Sequence, residues 1–211
     1  MAEPTAPDPN PGVVIRETDP GDLPRIVEMS REVYRPKAAW RMEELSSHLK
    51  LFPEGQLVAT LGGDLVGMAA SLILPLEDFP PDSDWWTLTG EGRFHTHDPE
   101  RGETLYGAGI LVRPGARGQG VGGALYEARE ALVRRLDLER IVAGARLSGY
   151  REHADRMSAE EYVEEVIEGR LEDPALSFQL AHGFRVRRVV PNYLPEDHES
   201  LGYAAVVEWR P

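Results

Sequence analysis

The sequence contains no cysteine and no apolar run of about 18 residues or more. The first absence excludes disulfide bonds and a cysteine nucleophile, and it suits a cytoplasmic enzyme. The second excludes a helix that spans a membrane. The first 12 residues also lack the basic start and apolar centre of a signal peptide, and because they are rich in proline we expect them to be a disordered lead-in.

Basic residues are also fewer than acidic ones. The chain has 23 Lys and Arg and 36 Asp and Glu, which gives a net charge of −13. This balance argues against nucleic acid or an acidic membrane surface as a partner. It is compatible with a small cationic amine as substrate, and equally with an acidic surface that keeps the protein in solution. A length of 211 residues fits one domain.

The most informative stretch, residues 107–136, predicts a strand, a tight turn and a helix. An apolar run over residues 108–112 stops at Pro114, which has no N–H to offer a neighbouring strand. The sequence RGQGVGG follows at residues 117–123, and its four glycines let backbone N–H groups face a bound group. A helix start adds the positive end of its dipole. We therefore predict a phosphate-binding loop, with Arg117 at its rim.

Two kinds of fold use such a loop, and the spacing of residues separates them. In a dinucleotide fold the first glycine follows the strand directly, and an acid ends the next strand. Here residues 113–117 intervene, and the next predicted strand, residues 140–147, ends without an acid. Val112, Pro114 and the pattern Arg117-x-x-Gly120-x-Gly122 instead resemble the acetyl-CoA signature of the GNAT N-acetyltransferase superfamily.

The resemblance implies an α/β fold with a mixed, mostly antiparallel sheet of about seven strands. Its fourth and fifth strands splay apart, and helices cover both faces. Residues 13–211 would form one GNAT domain with a helical insertion at about 149–173, and residues 76–102 would be a long loop at the mouth of the cleft. The insertion also resembles the acetyltransferase module found ahead of nitrilase-type carbon-nitrogen hydrolases, so we expect a stand-alone version of that module that ends at Pro211.

The same resemblance assigns the co-substrate, acetyl-CoA, to the fourth strand and the glycine loop. The strand backbone would hold the pantetheine arm, the loop would hold the pyrophosphate, and an N–H near Ile110 or Leu111 would bind the thioester oxygen. The implied cofactor-binding residues are Ile110, Leu111, Val112, Arg117, Gly118, Gln119, Gly120, Val121, Gly122 and Gly123.

Proton transfer is harder to assign from the sequence. An amine must lose a proton before it attacks, and His95, His97, Glu103 and Tyr106 are candidate bases, of which His97 is preferred because imidazole titrates near neutral pH. The family tyrosine that protonates the departing thiolate is replaced by Gln179, so Tyr193 or Tyr150 would substitute, unless water does. The alternative role for residues 95–98, as turn residues or metal ligands, stays open, although we expect no metal.

The predicted function is the transfer of an acetyl or short acyl group from acetyl-CoA to a primary amine, by direct attack through a tetrahedral intermediate. The alternative is a regulatory or sensor domain that binds acyl-CoA without efficient catalysis. Many members of the superfamily form dimers, so a homodimer is also compatible with the resemblance.

Overall fold

Seven strands form one mixed sheet in the order β1-β2-β3-β4-β5-β7-β6. This arrangement comes from a computed structural model that describes residues 12–34 and 39–211. Every neighbouring pair is antiparallel except β4 and β5, which are parallel, and this confirms the predicted fold class. The strands are β1 (Val13–Glu17), β2 (Gln56–Leu61), β3 (Asp64–Leu74), β4 (Thr104–Val112), β5 (Arg140–Arg146), β6 (Arg185–Val190) and β7 (Ala204–Trp209).

Helices cover both faces of the sheet and enclose two main apolar cores. One core lies under the first three helices and includes Ile26, Leu45 and Leu88, while the other lies under the last three and includes Leu132 and Val163. None of the helices in the described part of the chain is long and apolar enough to cross a membrane. The helices are α1 (Leu23–Val33), α2 (Met42–Leu51), α3 (Trp85–Thr89), α4 (Val121–Arg135), α5 (Ala159–Ile167) and α6 (Leu176–Ala181).

Local signals in the sequence fix several of these elements. The α5 helix begins at the predicted capping box, in which the Ser158 hydroxyl accepts the Glu161 N–H and the Glu161 carboxylate accepts the Ser158 N–H. The lead-in predicted for residues 1–12 lies outside the described residues except for Gly12.

The prediction of a long loop over residues 76–102 is wrong. Asp84 caps α3 by accepting the Thr87 N–H at 2.6 Å, and the chain continues into a wide turn over Gly90–Phe94. Leu88 and Phe94 anchor this segment because both are buried in the first core. The sequence pattern missed it because the helix has only five residues. The segment is therefore a packed part of the fold.

Local chemistry sets the ends of two further elements. The β6 strand ends at Val190 and Pro191 follows, so that Tyr193 lies in a turn. The α6 helix begins at Leu176, where the Asp173 carboxylate accepts the N–H groups of Ala175 and Leu176 at 3.0 Å.

Candidate functional site

The fourth and fifth strands separate halfway along their length. They pair only where residues 104–107 lie beside residues 140–143, although β4 continues to Val112 and β5 to Arg146. The second half of β4 therefore has an open edge that faces β5. We call this opening the splay.

A bulge in β4 lies at the start of the splay. In the register with β3, Ser71 pairs with Gly107 and Ala70 pairs with Gly109, so that Ala108 is the extra residue. Beyond the bulge, the Arg113 N–H donates to Val66 O. Because an antiparallel ladder alternates, the N–H groups of Ile110 and Val112 face away from β3 and into the splay. Both belong to the predicted cofactor-binding set.

Three side chains donate hydrogen bonds to three successive carbonyl groups of the bulge. The Trp85 indole N–H reaches Ala108 O at 2.8 Å from one face of the sheet, and the Tyr34 hydroxyl reaches Ile110 O at 3.4 Å. The Arg129 guanidinium reaches Gly109 O from α4 on the opposite face. Hydrogen-bond donors thus hold the bulge from both faces of the sheet and fix β4 at the point where it separates from β5.

The glycine loop lies at the end of β4 and carries a row of free donors. The N–H groups of residues 118–123 donate to no acceptor in the described ranges, and the first helical bond is from the Ala124 N–H to Gly120 O. Gly118 and Gly120 have φ values of 73° and 79°, a conformation that favours glycine. Arg117 is exposed beside them. Free N–H groups at a helix start fit a phosphate group.

The other two glycines of the loop have a packing role in addition to their free N–H groups. A Cβ atom on Gly122 would lie 2.9 Å from the Phe178 ring, and one on Gly123 would lie 3.2 Å from the His182 ring. These glycines therefore let α6 pack closely on the start of α4, whereas Gly118 and Gly120 shape the loop itself.

The structure brings Tyr106 and Tyr193 together at the start of the splay. Their hydroxyl groups are hydrogen-bonded and both side chains are buried. Tyr193 also packs on Gly144, the first β5 residue beyond the pairing with β4, where an added Cβ would lie 2.2 Å from the tyrosine ring. Burial raises the pKa values of both the Tyr193 and the Tyr106 hydroxyl. Both hydroxyls therefore keep their protons at neutral pH.

Gln179 and Tyr150 are used in packing. The Gln179 amide donates to the Tyr126 hydroxyl at 2.8 Å and so joins α6 to α4. Tyr150 belongs to the second core, where it packs against Tyr203 and its hydroxyl donates to Met157 O at 3.3 Å. Of the two tyrosines proposed in place of Gln179, the structure puts Tyr193 at the splay.

His97 and Glu103 lie near the opposite end of β4 from the splay. His97 Nδ1 accepts the Ile73 N–H at 3.0 Å, its ring stacks on Phe52, and burial lowers its pKa. Glu103 is exposed and its carbonyl accepts the Glu139 N–H. These contacts give His97 a role in holding β3, and its assignment as the base stays a prediction. In residues 12–34 and 39–211 no three His, Cys, Asp or Glu side chains are grouped as metal ligands.

Sequence reasoning missed Trp85 and Arg129. No local signal marks Trp85, because its hydrogen-bond partner, the Ala108 carbonyl, lies far along the chain in β4. Arg129 did carry a signal, because it lies four residues after Leu125 and three before Leu132, within the apolar stripe of α4. A charged residue in a buried stripe needs polar partners, and these partners are at the β4 bulge.

Comparison with known proteins agrees with this geometry. Residues 23–154 match the model of the acetyltransferase (GNAT) family. YkwB of Bacillus subtilis (strain 168), named an uncharacterized N-acetyltransferase, is 39% identical over 202 residues, which cover 94% of this chain and 88% of YkwB. The solved structure of the GNAT-like decarboxylase GphF with isobutyryl-CoA is 25% identical, with a TM-score of 0.75, over 93% of this chain and 98% of that one.

A second relative is much longer than this chain. YhcX of the same Bacillus strain, named a probable hydrolase, is 39% identical over 197 residues. These residues cover 93% of this chain but only 38% of YhcX. The chain therefore spans well under half of that relative.

Proposed function

Because this chain belongs to the GNAT acetyltransferase family, it is an acyltransferase, and we propose that it moves an acetyl or short acyl group from acetyl-CoA to a primary amine. The observation that carries the proposal is the splay beside a loop in which six N–H groups donate to no acceptor among the described residues. An extended chain fits the first feature and a phosphate fits the second. Acetyl-CoA, the co-substrate of this family, has both parts.

The residues present fit this co-substrate. In our proposal the backbone of residues 110–112 holds the pantetheine arm along the open edge of β4, and the free N–H groups of residues 118–123 hold the pyrophosphate. The Ile110 N–H, which faces the splay, donates to the thioester oxygen, where negative charge develops. Arg117 adds a positive charge at the loop rim.

We propose Tyr193 as the group that protonates the departing thiolate. Its hydroxyl lies where β5 leaves β4, and its raised pKa means that it holds a proton at neutral pH. Tyr106 supports it through the hydroxyl hydrogen bond. In this arrangement Gln179 is free to serve as a packing residue.

The acceptor is proposed to be a small amine that carries a positive charge in solution. The excess of 13 negative charges on the protein would attract such a molecule. The name of YkwB, an N-acetyltransferase, supports nitrogen as the accepting atom. A location in the cytoplasm and a homodimer stay predictions of the sequence.

A matched pair of glycine variants tests the donor site. Gly120→Ala places a side chain at a φ of 79°, whereas Gly115→Ala, in the turn just before the loop, adds a Cβ that meets no atom within 4 Å. In calorimetric titrations with acetyl-CoA, we expect Gly120→Ala to weaken binding at least about tenfold, a change of about 1.4 kcal/mol. Gly115→Ala should bind like the wild type. Equal affinity in both variants, or wild-type binding of NAD in place of acetyl-CoA, would overturn the donor site.

The acceptor is then sought with a panel of primary amines, alcohols and thiol-free peptides. Because the chain contains no cysteine, a thiol reagent reports only the CoA that the reaction releases. Acetyl-CoA and isobutyryl-CoA serve as donors, and the product is identified by mass. Release that depends on an amine supports the proposal. If acetyl-CoA binds but CoA is released only when an alcohol is present, the acceptor atom is oxygen and the proposed amine is wrong.

A further inference from the structure

Arg129 is a buried arginine whose hydrogen-bond acceptors are all uncharged. Only 1% of its surface is exposed, although it is among the largest side chains of the core. It donates to Ser71 Oγ at 3.1 Å, to Ala70 O at 2.8 Å and to Gly109 O. No carboxylate among the described residues lies within ion-pair distance of it.

A buried charge without a counter-ion is unfavourable, and most proteins avoid it. An arginine nonetheless keeps its proton in such a place, because its ordinary pKa is far above neutral. The surroundings of Arg129 are therefore positive, and a negative charge that forms nearby is stabilised by them. The position of the guanidinium decides which nearby group is stabilised when it becomes negatively charged.

The guanidinium bonds to the carbonyl of the peptide whose N–H faces the splay. Gly109 O and the Ile110 N–H belong to the same peptide group. A charged donor on the carbonyl oxygen polarises the amide and strengthens its N–H as a donor. The bond from Arg129 also ties β4 to β3, since the same nitrogen reaches Ala70 O across the bulge.

Gly107 leaves the space that the guanidinium needs. A Cβ atom on Gly107 would lie 3.2 Å from Arg129 Nη1 and 3.3 Å from the Ala143 side chain. Nη1 is thus at the last pair of residues that joins β4 to β5, next to the splay. It has no acceptor in the part of the chain that the structure describes.

We propose that Arg129 is a positioning residue that fixes the β4 bulge and strengthens the Ile110 N–H as the donor to the thioester oxygen. This inference rests on the proposed function, because it needs acetyl-CoA in the splay. It assigns to a core arginine a part in the reaction that its burial alone would not reveal.

Three substitutions separate this role from a packing role. Arg129→Gln removes the charge but keeps a donor, Arg129→Lys keeps the charge, and Arg135→Gln removes an exposed arginine of the same helix as a control. Each variant is first checked for folding by thermal unfolding and for acetyl-CoA binding by calorimetry. The decisive measurement is the infrared stretch of acetyl-CoA labelled with ¹³C at the thioester carbonyl.

In the wild type and in Arg135→Gln, we expect the bound carbonyl to absorb at lower frequency than the free one. Arg129→Gln should lose at least half of that shift and about tenfold to a hundredfold in kcat, with a Kd for acetyl-CoA within about threefold. Arg129→Lys should keep most of the frequency shift. If Arg129→Gln does not fold, the infrared and kinetic measurements are made on Arg129→Lys instead.

Three results would overturn the inference. The first is a bound carbonyl frequency in Arg129→Gln that equals the wild-type one. The second is an Arg129→Lys variant that keeps the charge but has lost both the frequency shift and its thermal stability. The third is a loss of acetyl-CoA affinity as large as the loss of kcat, which a merely structural role produces. A wild-type protein that binds no acetyl-CoA would instead overturn the proposed function, and the two failures are therefore distinguishable.

Discussion

The hydroxyl groups of Tyr106 and Tyr193 are hydrogen-bonded to each other, although the two residues are 87 positions apart in the chain. One tyrosine comes from β4 and the other from the turn after β6. Their meeting point is where β4 and β5 part, beside Gly144. The Tyr193 hydroxyl is buried at this point and keeps its proton, as the proposed acid must before the thiolate departs.

Tyr193→Phe should lower kcat about tenfold to a hundredfold and leave the affinity for acetyl-CoA nearly unchanged. The range lies at and below the usual contribution of a general acid, because a thiol with a pKa of about 8.5 is a tolerable leaving group. Steady-state kinetics with the thiol reagent measure the change. The matched control is Tyr203→Phe, which alters a half-buried tyrosine that packs on Tyr150. An equal loss in both variants would remove Tyr193 from the reaction.

Gly144→Ala should displace Tyr193 without removing it. The new Cβ would lie 2.2 Å from the tyrosine ring, so that the ring or the strand must move. We expect a loss of about 1–3 kcal/mol in the free energy of unfolding. Activity should fall as far as in Tyr193→Phe. Denaturant unfolding and steady-state kinetics test both effects, with Gly115→Ala as the control, and a fully active, stable Gly144→Ala would contradict this packing.

The strand, the loop and the helix start over residues 107–136 could be predicted from the sequence because the signals for them are local. The apolar run, Pro114 and the spacing from Arg117 to Gly122 lie within a few residues of each other, and together they imply the strand, the loop and the helix start. The predicted number of strands and the splay between the fourth and fifth follow from the same resemblance. Each of these features needs no knowledge of distant contacts.

The proton-transfer groups could not be predicted in the same way. His97 was preferred for its titration range, but which end of β4 it occupies depends on the contacts with Ile73 and Phe52. Tyr193 was one of two candidates, and only packing on Gly144 separates it from Tyr150. The contact between Trp85 and Ala108 has no sequence signal, because it depends on how residues 76–102 fold back on the sheet.

Trp85→Phe should lower kcat because the β4 bulge loses one of the hydrogen bonds that hold it in place. The substitution keeps an aromatic ring against Trp40 but removes the N–H that donates to Ala108 O at 2.8 Å. We expect kcat to fall about threefold to tenfold, in line with about 1 kcal/mol for one hydrogen bond. The control is Trp86→Phe, whose indole N–H contacts Glu196 at 3.4 Å. If Trp86→Phe lowers kcat as much as Trp85→Phe does, the bulge contact is not the cause.

His48 should make the stability of the fold depend on pH between 6.5 and 4. Its ring is 1% exposed, stacks on Phe94, contacts the edge of Trp40 and bonds to Gly92 O at 2.8 Å. Burial lowers the pKa of His48 from 6.5 to about 4. In that window the unfolded chain binds a proton that the folded chain does not, so stability falls as the pH falls.

The size of this effect and its sign can both be measured. The gap between a pKa of 6.5 and one of about 4 corresponds to about 3 kcal/mol. His48→Gln should be less stable than the wild type at pH 7, and the difference should shrink by about that amount toward pH 4, because only the wild type has the histidine to protonate. Denaturant unfolding at a series of pH values gives the two curves, and the exposed His95→Gln serves as control. A constant difference between wild type and His48→Gln from pH 7 to pH 4 would show that His48 is not held neutral by burial.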